Sequence, residues 1–168
     1  MATVTLKGNP VKLKGELPRP GNKAPDATLV TGDLSEKHLS DFRGKAIVLN
    51  IFPSIDTGVC AMQTKTFAQR LKGRDDVVAV FASMDLPFAL GRFCASEGLD
   101  NAVTGSDFRY HQLADRYGVG IADGPLAGLC ARATLVIDAD QTVHYVQLVE
   151  EITDEPDYDA ALAALDAL

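Results

Sequence analysis

The 168 residues are 46% hydrophobic and 23% charged, with a formal net charge of −7 and a sequence pI of about 4.8. That length and apolar content suit one compact domain whose core needs no disulfide or metal staple. The acidity excludes the basic footprint of a nucleic-acid binder and disfavours anionic membrane surfaces, and no apolar run approaches the roughly 20 residues of a membrane span.

The first ten residues alternate and then turn, without a charged start followed by an apolar block. No secretory signal is expected, and the protein is read as cytoplasmic. Thr3–Leu6 and Val11–Leu13 flank Lys7-Gly8-Asn9-Pro10 and predict a β-hairpin within residues 1–15. Pro18-Arg19-Pro20-Gly21-Asn22 is a turn-rich connector, Ala27–Val30 a short strand, and the polar stretch Asp33–Ser40 a loop with a helical turn. Ile47–Phe52 is a short, mainly apolar run of the buried-strand kind. Ala61–Ala68 has a helical pattern, so Cys60 falls where a strand gives way to a helix.

Val77–Ser83 is a second buried strand. Asp85-Leu86-Pro87 opens a helix, with Asp85 as the cap and Pro87 in the first turn. Leu86, Ala89, Leu90 and Phe93 share one face of it, and Cys94 lies beside that face, before Gly98. Tyr110–Tyr117 reads as a helix ended by Gly118-Val119-Gly120, and Ile121–Gly128 as a loop. Ala133–Asp138 and Val143–Leu148 are strands joined by Ala139-Asp140-Gln141, and Tyr158–Leu168 is an amphipathic helix begun by Glu155-Pro156-Asp157. The order predicts an α/β sandwich around a mixed central sheet, one domain spanning residues 1–168. It matches the thioredoxin-like pattern with an added N-terminal hairpin.

Of the three cysteines, Cys60 has the most informative place. At the start of a helix, unpaired backbone N–H groups converge and the dipole favours an anion, which biases a thiol toward the reactive thiolate. Buried free cysteines are commonly inert, so place alone does not decide. Thr57, three residues earlier, has a hydroxyl within a helical turn of the sulfur. Gly58 allows close backbone approach, and Pro53 closes the strand without a donor. A helix end supplies about 0.3–1 kcal/mol, or up to ~2 when partly buried. Activation of a thiol takes about 1.36 kcal/mol per pKa unit, so a cation must contribute. Arg132, between Ala131 and Ala133 at the start of an apolar strand, is the best candidate; Arg43 and Arg92 are weaker, and Asp56 has the wrong sign and should point away.

Pro53-x-x-x-Thr57-x-x-Cys60 is similar to the peroxidatic motif of the peroxiredoxins. The longer string Leu49–Cys60 resembles the bacterial thiol-peroxidase branch of that family, the atypical two-cysteine peroxiredoxins. So do Asp85-Leu86-Pro87-Phe88-Ala89 with Arg92-Phe93-Cys94, Gly118-Val119 with Ile121–Leu126, and Glu151–Tyr158. The resemblance runs from Gly8 to the C-terminal helix. It implies that Cys60 is the peroxidatic nucleophile and Cys94 the resolving cysteine. Thr57 would hydrogen-bond the sulfur and the peroxide, Arg132 would hold the thiolate and polarise the O–O bond, and Pro53 would shield the site from water. It further implies hydrogen peroxide or an alkyl hydroperoxide as substrate, a Cys60–Cys94 disulfide recycled by thioredoxin, and a homodimer packed beside the active-site loops.

Phe88, Phe93 and Leu126 point to an alkyl preference. If both cysteines begin on helices, the disulfide requires local unwinding, since Cα atoms beyond about 7 Å cannot be bridged. Cys130 is expected to be a buried bystander; the other reading is a thiol near the site, prone to side reactions. His38, His111 and His144 have no metal-ligand spacing, and Gly118-Val119-Gly120 is no dinucleotide fingerprint. No metal and no bound cofactor are expected. A redox relay that passes its disulfide to a partner protein and a holdase remain the readings from other classes, and a one-cysteine cycle the nearer rival.

Overall fold

The computed structural model describes residues 2–98 and 102–168. Its strands are β1 Thr3–Leu6, β2 Asn9–Lys12, β3 Thr28–Val30, β4 Glu36–His38, β5 Ala46–Ile51, β6 Val77–Ser83, β7 Ala102–Ser106, β8 Ala133–Ile137 and β9 Val143–Leu148. The helices are α1 Gly58–Arg70, α2 Pro87–Glu97, α3 Gln112–Arg116 and α4 Tyr158–Asp166, with a 3-10 turn at Leu39–Phe42. Seven strands form one sheet in the order β4-β3-β7-β6-β5-β8-β9. β5, β6 and β7 run parallel, joined through α1 and α2; β8 pairs antiparallel with β5 and β9 with β8 on one side, and β3 pairs antiparallel with β7 and β4 with β3 on the other. This is the predicted mixed α/β sandwich.

The apolar strands β5 and β6 are central because they are buried on both faces. Ile47, Leu49 and Ile51 enter one core layer, with Leu135, Leu113 and Tyr117. Val48 and Phe52 enter the other, with Cys60 and Phe67 of α1, Leu90 of α2 and Leu165 of α4. Alternation along a strand therefore sorts the sheet into an α3 face and an α1/α2/α4 face.

β1 and β2 form the expected hairpin with a tighter turn: Lys7 (φ 50°) and Gly8 (φ 83°) alone make it, and Asn9 and Pro10 belong to β2. Pro10 is accepted because its partner Thr5 bonds elsewhere, donating to the Glu150 carbonyl and accepting from the Ile152 amide. The hairpin thus docks on the segment after β9.

Four other expectations are corrected. Residues 36–38 form an edge strand rather than loop; Glu36, Lys37 and His38 are all exposed, so no alternation marks them. β7 has no counterpart in the sequence reading; a Cβ at its Gly105 would lie 2.6 Å from Leu29 Cδ1, so the glycine admits the neighbouring strand. The helix expected over 110–117 is only Gln112–Arg116, because His111 is left-handed (φ 57°) and the buried Asp107 caps the helix through the amides of Leu113 and Ala114. Leu86, rather than Asp85, occupies the cap position of α2, with Pro87 in its first turn and Gly98 (φ 64°) closing it. Leu86 is also turned outward instead of packing with Leu90.

Candidate active site

The strand-to-helix junction places Cys60 in the first turn of α1, as its position in the sequence predicts. Thr57 is the cap (φ −99°, ψ 148°). Its hydroxyl donates to the Ser54 carbonyl at 3.0 Å and accepts from the Cys60 amide at 3.4 Å. It therefore orders the turn that carries the thiol; among the described contacts it bonds the Cys60 backbone, not the sulfur. A Cβ at Gly58 would meet nothing within 4 Å, which leaves the approach over this turn open.

Cys60 is fully buried, and the cation beside it comes from the β8 side of the sheet. Arg132 precedes β8 with the parity of Thr134 and Val136, and that parity turns it toward α1. The side chain is 2% exposed. Its Nη1 donates to Cys60 Sγ at 3.3 Å and to Gln63 Oε1 at 2.8 Å. Nε and Nη2 both donate to the Ile152 carbonyl, at 3.1 and 3.0 Å. A buried guanidinium needs such partners, and four of its five N–H groups are thereby engaged.

Beside this pair lies a cavity of about 220 Å³. Pro53, Thr57, Gly58 and Arg132 supply its chemical wall, and Leu6, Val59, Leu126, Leu129 and Ile152 an aliphatic one. Leu126 is where an alkyl chain would touch it. Phe88 and Phe93 are not: Phe88 lines a separate surface groove with Leu34 and Phe108, and Phe93 packs under α2. Leu6 comes from the hairpin, so the N-terminal extension forms part of this wall.

Among the weaker candidates, Arg43 is exposed, and Arg92 pairs with Asp56 at 3.7 Å on the surface, so Asp56 does point away from the thiol. Cys94 lies half-buried within α2 and is a free thiol; burial pushes its pKa up. Cys130 is wholly buried in the opposite core layer, where burial first, and then Asp107 and Asp85, hold its thiol strongly protonated. His38 bonds Thr28 and His144 bonds Asp138. Among the described residues no cluster of His, Cys, Asp or Glu could hold a metal ion, and no helix is long and apolar enough to cross a membrane.

Three contributors are not singled out by the sequence. Gln63 and the Ile152 carbonyl hold Arg132, and Asn50 holds Gln63 through a 3.2 Å bond. A signal existed for Asn50, the single polar residue inside the apolar run Ile47–Phe52. Nothing local marks a backbone carbonyl such as that of Ile152.

A family model described as Redoxin matches residues 19–162. The chain is 52% identical over 169 residues to a thiol peroxidase of Leptospira interrogans serogroup Icterohaemorrhagiae serovar copenhageni, covering 99% of each chain. It is 52% identical over 167 residues to a thiol peroxidase of Mycobacterium bovis, covering 99% of this chain and 100% of that one. Among solved structures it is similar to a peroxiredoxin-like protein from Aquifex aeolicus, with a TM-score of 0.93 and 44% identity over 99% of this chain and 97% of that one. A thiol peroxidase from Chromobacterium violaceum shares the fold, with a TM-score of 0.90 at 24% identity over 98% and 95% of the two chains.

Proposed function

The chain belongs to the Redoxin family and is a thiol-dependent peroxidase; on that premise we propose that Cys60 is its peroxidatic thiol and Cys94 its resolving thiol. The observation that carries the assignment is the 3.3 Å contact between Arg132 Nη1 and Cys60 Sγ beside a cavity walled by Pro53 and Thr57.

In the first step the Cys60 thiolate attacks one oxygen of a hydroperoxide. The S–O bond forms, the O–O bond breaks, and an alcohol or water leaves with a proton from solvent, so that Cys60 becomes a sulfenic acid. Charge builds on the departing oxygen, and the remaining Arg132 N–H and the first amides of α1 are the donors that would receive it; the Thr57 hydroxyl joins them once its hydrogen turns from the Ser54 carbonyl. Pro53 adds no donor and keeps bulk water from the sulfur. In the second step Cys94 attacks the sulfenic sulfur, the S–O bond breaks, and water leaves the Cys60–Cys94 disulfide. A dithiol protein, thioredoxin in this reading, returns two electrons by thiol–disulfide exchange.

The aliphatic cavity wall supports alkyl hydroperoxides as well as hydrogen peroxide as substrates. We place the enzyme in the cytoplasm, working as a single domain and as a homodimer. The exposed Leu34, Leu86, Phe88 and Phe108 offer apolar surface for the second copy to cover. No membrane, nucleic-acid or cofactor role enters the cycle.

Peptide-mapped mass after one equivalent of cumene hydroperoxide tests the assignment. Loss of two hydrogens with Cys60 joined to Cys94 is expected. One added oxygen that persists on Cys60, or a link to Cys130, would overturn the resolving assignment, and no reaction at Cys60 would overturn the peroxidatic one.

A further inference from the structure

Between β5, β8 and α1 lie the fully buried polar side chains of Asn50, Gln63 and Thr134, none of which takes part in the peroxidase cycle. Polar groups are costly to bury unless each finds a partner. Their donor and acceptor pattern has one consistent solution, and it starts from Arg132.

A guanidinium has donors only. Gln63 therefore has to present Oε1 to Arg132 Nη1, as it does at 2.8 Å. The other end of that amide, Nε2, must then donate, and it meets Asn50 Oδ1 at 3.2 Å. Thr134 Oγ1 donates to the same oxygen at 3.3 Å, from the position directly opposite Asn50 in the β5–β8 register. Asn50 Nδ2 is left facing no acceptor, and it is the buried side-chain polar atom without a partner among the described residues. Turning the Asn50 amide over would set its Nδ2 against Gln63 Nε2, donor to donor. Turning both would set Gln63 Nε2 against the guanidinium. The orphaned amide is thus a consequence, two residues away, of the charge on Arg132.

The geometry at Arg132 shows what the arrangement accomplishes. The Ile152 carbonyl takes both Nε and Nη2, so one oxygen acts as a pivot for that edge. Nη1 carries two N–H groups. Gln63 takes one, and the other then points at Cys60 Sγ. Without a second point of support the guanidinium can swing about the pivot.

We propose that Gln63, braced by Asn50, is a positioning residue that aims the Arg132 Nη1 N–H at the Cys60 sulfur. The proposal rests on Cys60 as the reacting thiol. It assigns Asn50, the polar interruption of an otherwise apolar strand, to the alignment of the site rather than to the core.

The test uses the reduced full-length chain and its variants Gln63→Met and Asn50→Leu. Three quantities are measured: the pH profile of iodoacetamide alkylation at Cys60, read by peptide mapping; the single-turnover rate with hydrogen peroxide; and the unfolding temperature. In Gln63→Met, alkylation near neutral pH is expected to fall about 3- to 10-fold and to recover at alkaline pH, as when a thiolate loses part of an adjacent charge. The peroxide rate is expected to fall about 10- to 100-fold, the order of a misplaced charge-stabilising donor. Asn50→Leu removes the brace and its orphaned amide, but it also takes the acceptor from Gln63 Nε2 and the Thr134 hydroxyl, so a lower unfolding temperature is expected in this variant. Its alkylation profile should move in the same direction by a smaller amount, and that movement, not the unfolding temperature, is the sign of the positioning role. A packing role alone predicts lower unfolding temperatures with the wild-type alkylation profile, and that result in either folded variant overturns the proposal. If the unmodified chain alkylates at Cys60 but ignores hydrogen peroxide, the peroxidase assignment fails, while the alkylation profiles still decide whether Gln63 aims Arg132.

Discussion

The carboxylate of Asp85 accepts the backbone N–H of Ile55 at 2.8 Å, so the lead-in to α2 grips the loop that leads into α1. The Ser54 hydroxyl donates to the same carboxylate at 2.7 Å. The entrances to the two cysteine-bearing helices are therefore tied together while Cys60 is buried against Arg132. On the proposed pairing with Cys94 the fully buried Cys60 has to be uncovered, and the clasp would oppose that movement. In Asp85→Ala the freed donors should lower the stability of the reduced protein by about 1–3 kcal/mol. The first oxidation should slow, because the Cys60 turn is less ordered, while disulfide formation from the sulfenic acid speeds up severalfold. Rapid-quench alkylation followed by mass analysis separates the two steps. Slowing of both steps would show that the clasp helps resolution rather than restraining it.

Removing Cys94, the proposed resolving thiol, tests the division of labour between the cysteines. Cys94→Ser should consume one equivalent of hydroperoxide at close to the wild-type rate and then stop, with Cys60 passing to sulfinic acid under excess peroxide. In the intact protein the half-buried Cys94 thiol is pushed up by desolvation. The thiolate is the attacking form. Disulfide formation should therefore keep accelerating with pH beyond the ordinary thiol range of about 8.5. A resolving rate that levels off within that ordinary range would place Cys94 in solvent before it reacts.

Much of this architecture is written locally. Ile47–Phe52 and Val77–Ser83 declare buried strands by composition, Pro87 and Gly98 bracket α2, and Thr57 heads α1, because these signals act within one turn of the chain. Edge strands are different. β4 is exposed along its length and β7 contains Gly105, so only their neighbours make them strands. The site divides in the same way. Cys60 and Thr57 are legible from one turn of sequence, and Arg132 from a charge set among small apolar residues. Gln63 resembles any polar helix residue until the fold brings it opposite Arg132, 69 positions away. Asp85 reads as a cap because it precedes Pro87, but its carboxylate serves Ile55, 30 positions upstream, a contact no local pattern encodes.

Charge and fork geometry at position 132 can be tested separately. Arg132→Lys keeps a cation but loses the simultaneous contacts to Cys60, Gln63 and Ile152, and an ammonium is a more strongly hydrated point charge. Arg132→Met loses both. The peroxide rate should fall about 100- to 1,000-fold in Arg132→Met, the range seen when a preorganised donor is removed. Arg132→Lys should recover only a minor part of it, while regaining most of the alkylation rate near neutral pH. Stopped-flow with hydrogen peroxide beside iodoacetamide kinetics makes the comparison. Equal recovery of both rates by lysine would show that charge alone suffices.

The far side of Arg132 leads to a pH-dependent prediction about the N-terminal hairpin. The Ile152 carbonyl that receives the guanidinium is held by its own amide, which donates to the Thr5 carbonyl, and by the neighbouring Glu151. The Glu151 carboxylate accepts from the amides of Thr153, Gly8 and Lys7 and from the hydroxyls of Thr153 and Thr5. These bonds, those to Thr153 and Gly8 foremost, lower its pKa from 4.5 to about 2. A carboxyl with a depressed folded-state value stabilises the fold above its unfolded value and loses that contribution as pH falls through its folded value. Glu151→Gln should therefore be less stable than the wild type at neutral pH, with the gap closing between pH 4.5 and about 2. The hairpin also supplies Leu6 to the cavity wall and meets Arg132 through Ile152, so the variant should lose peroxide rate at neutral pH as well, by a fewfold. Denaturant titrations across that pH range, with peroxide kinetics at neutral pH, check both parts. A stability gap that persists unchanged at the acid end would mean that Glu151 acts through its shape rather than its charge.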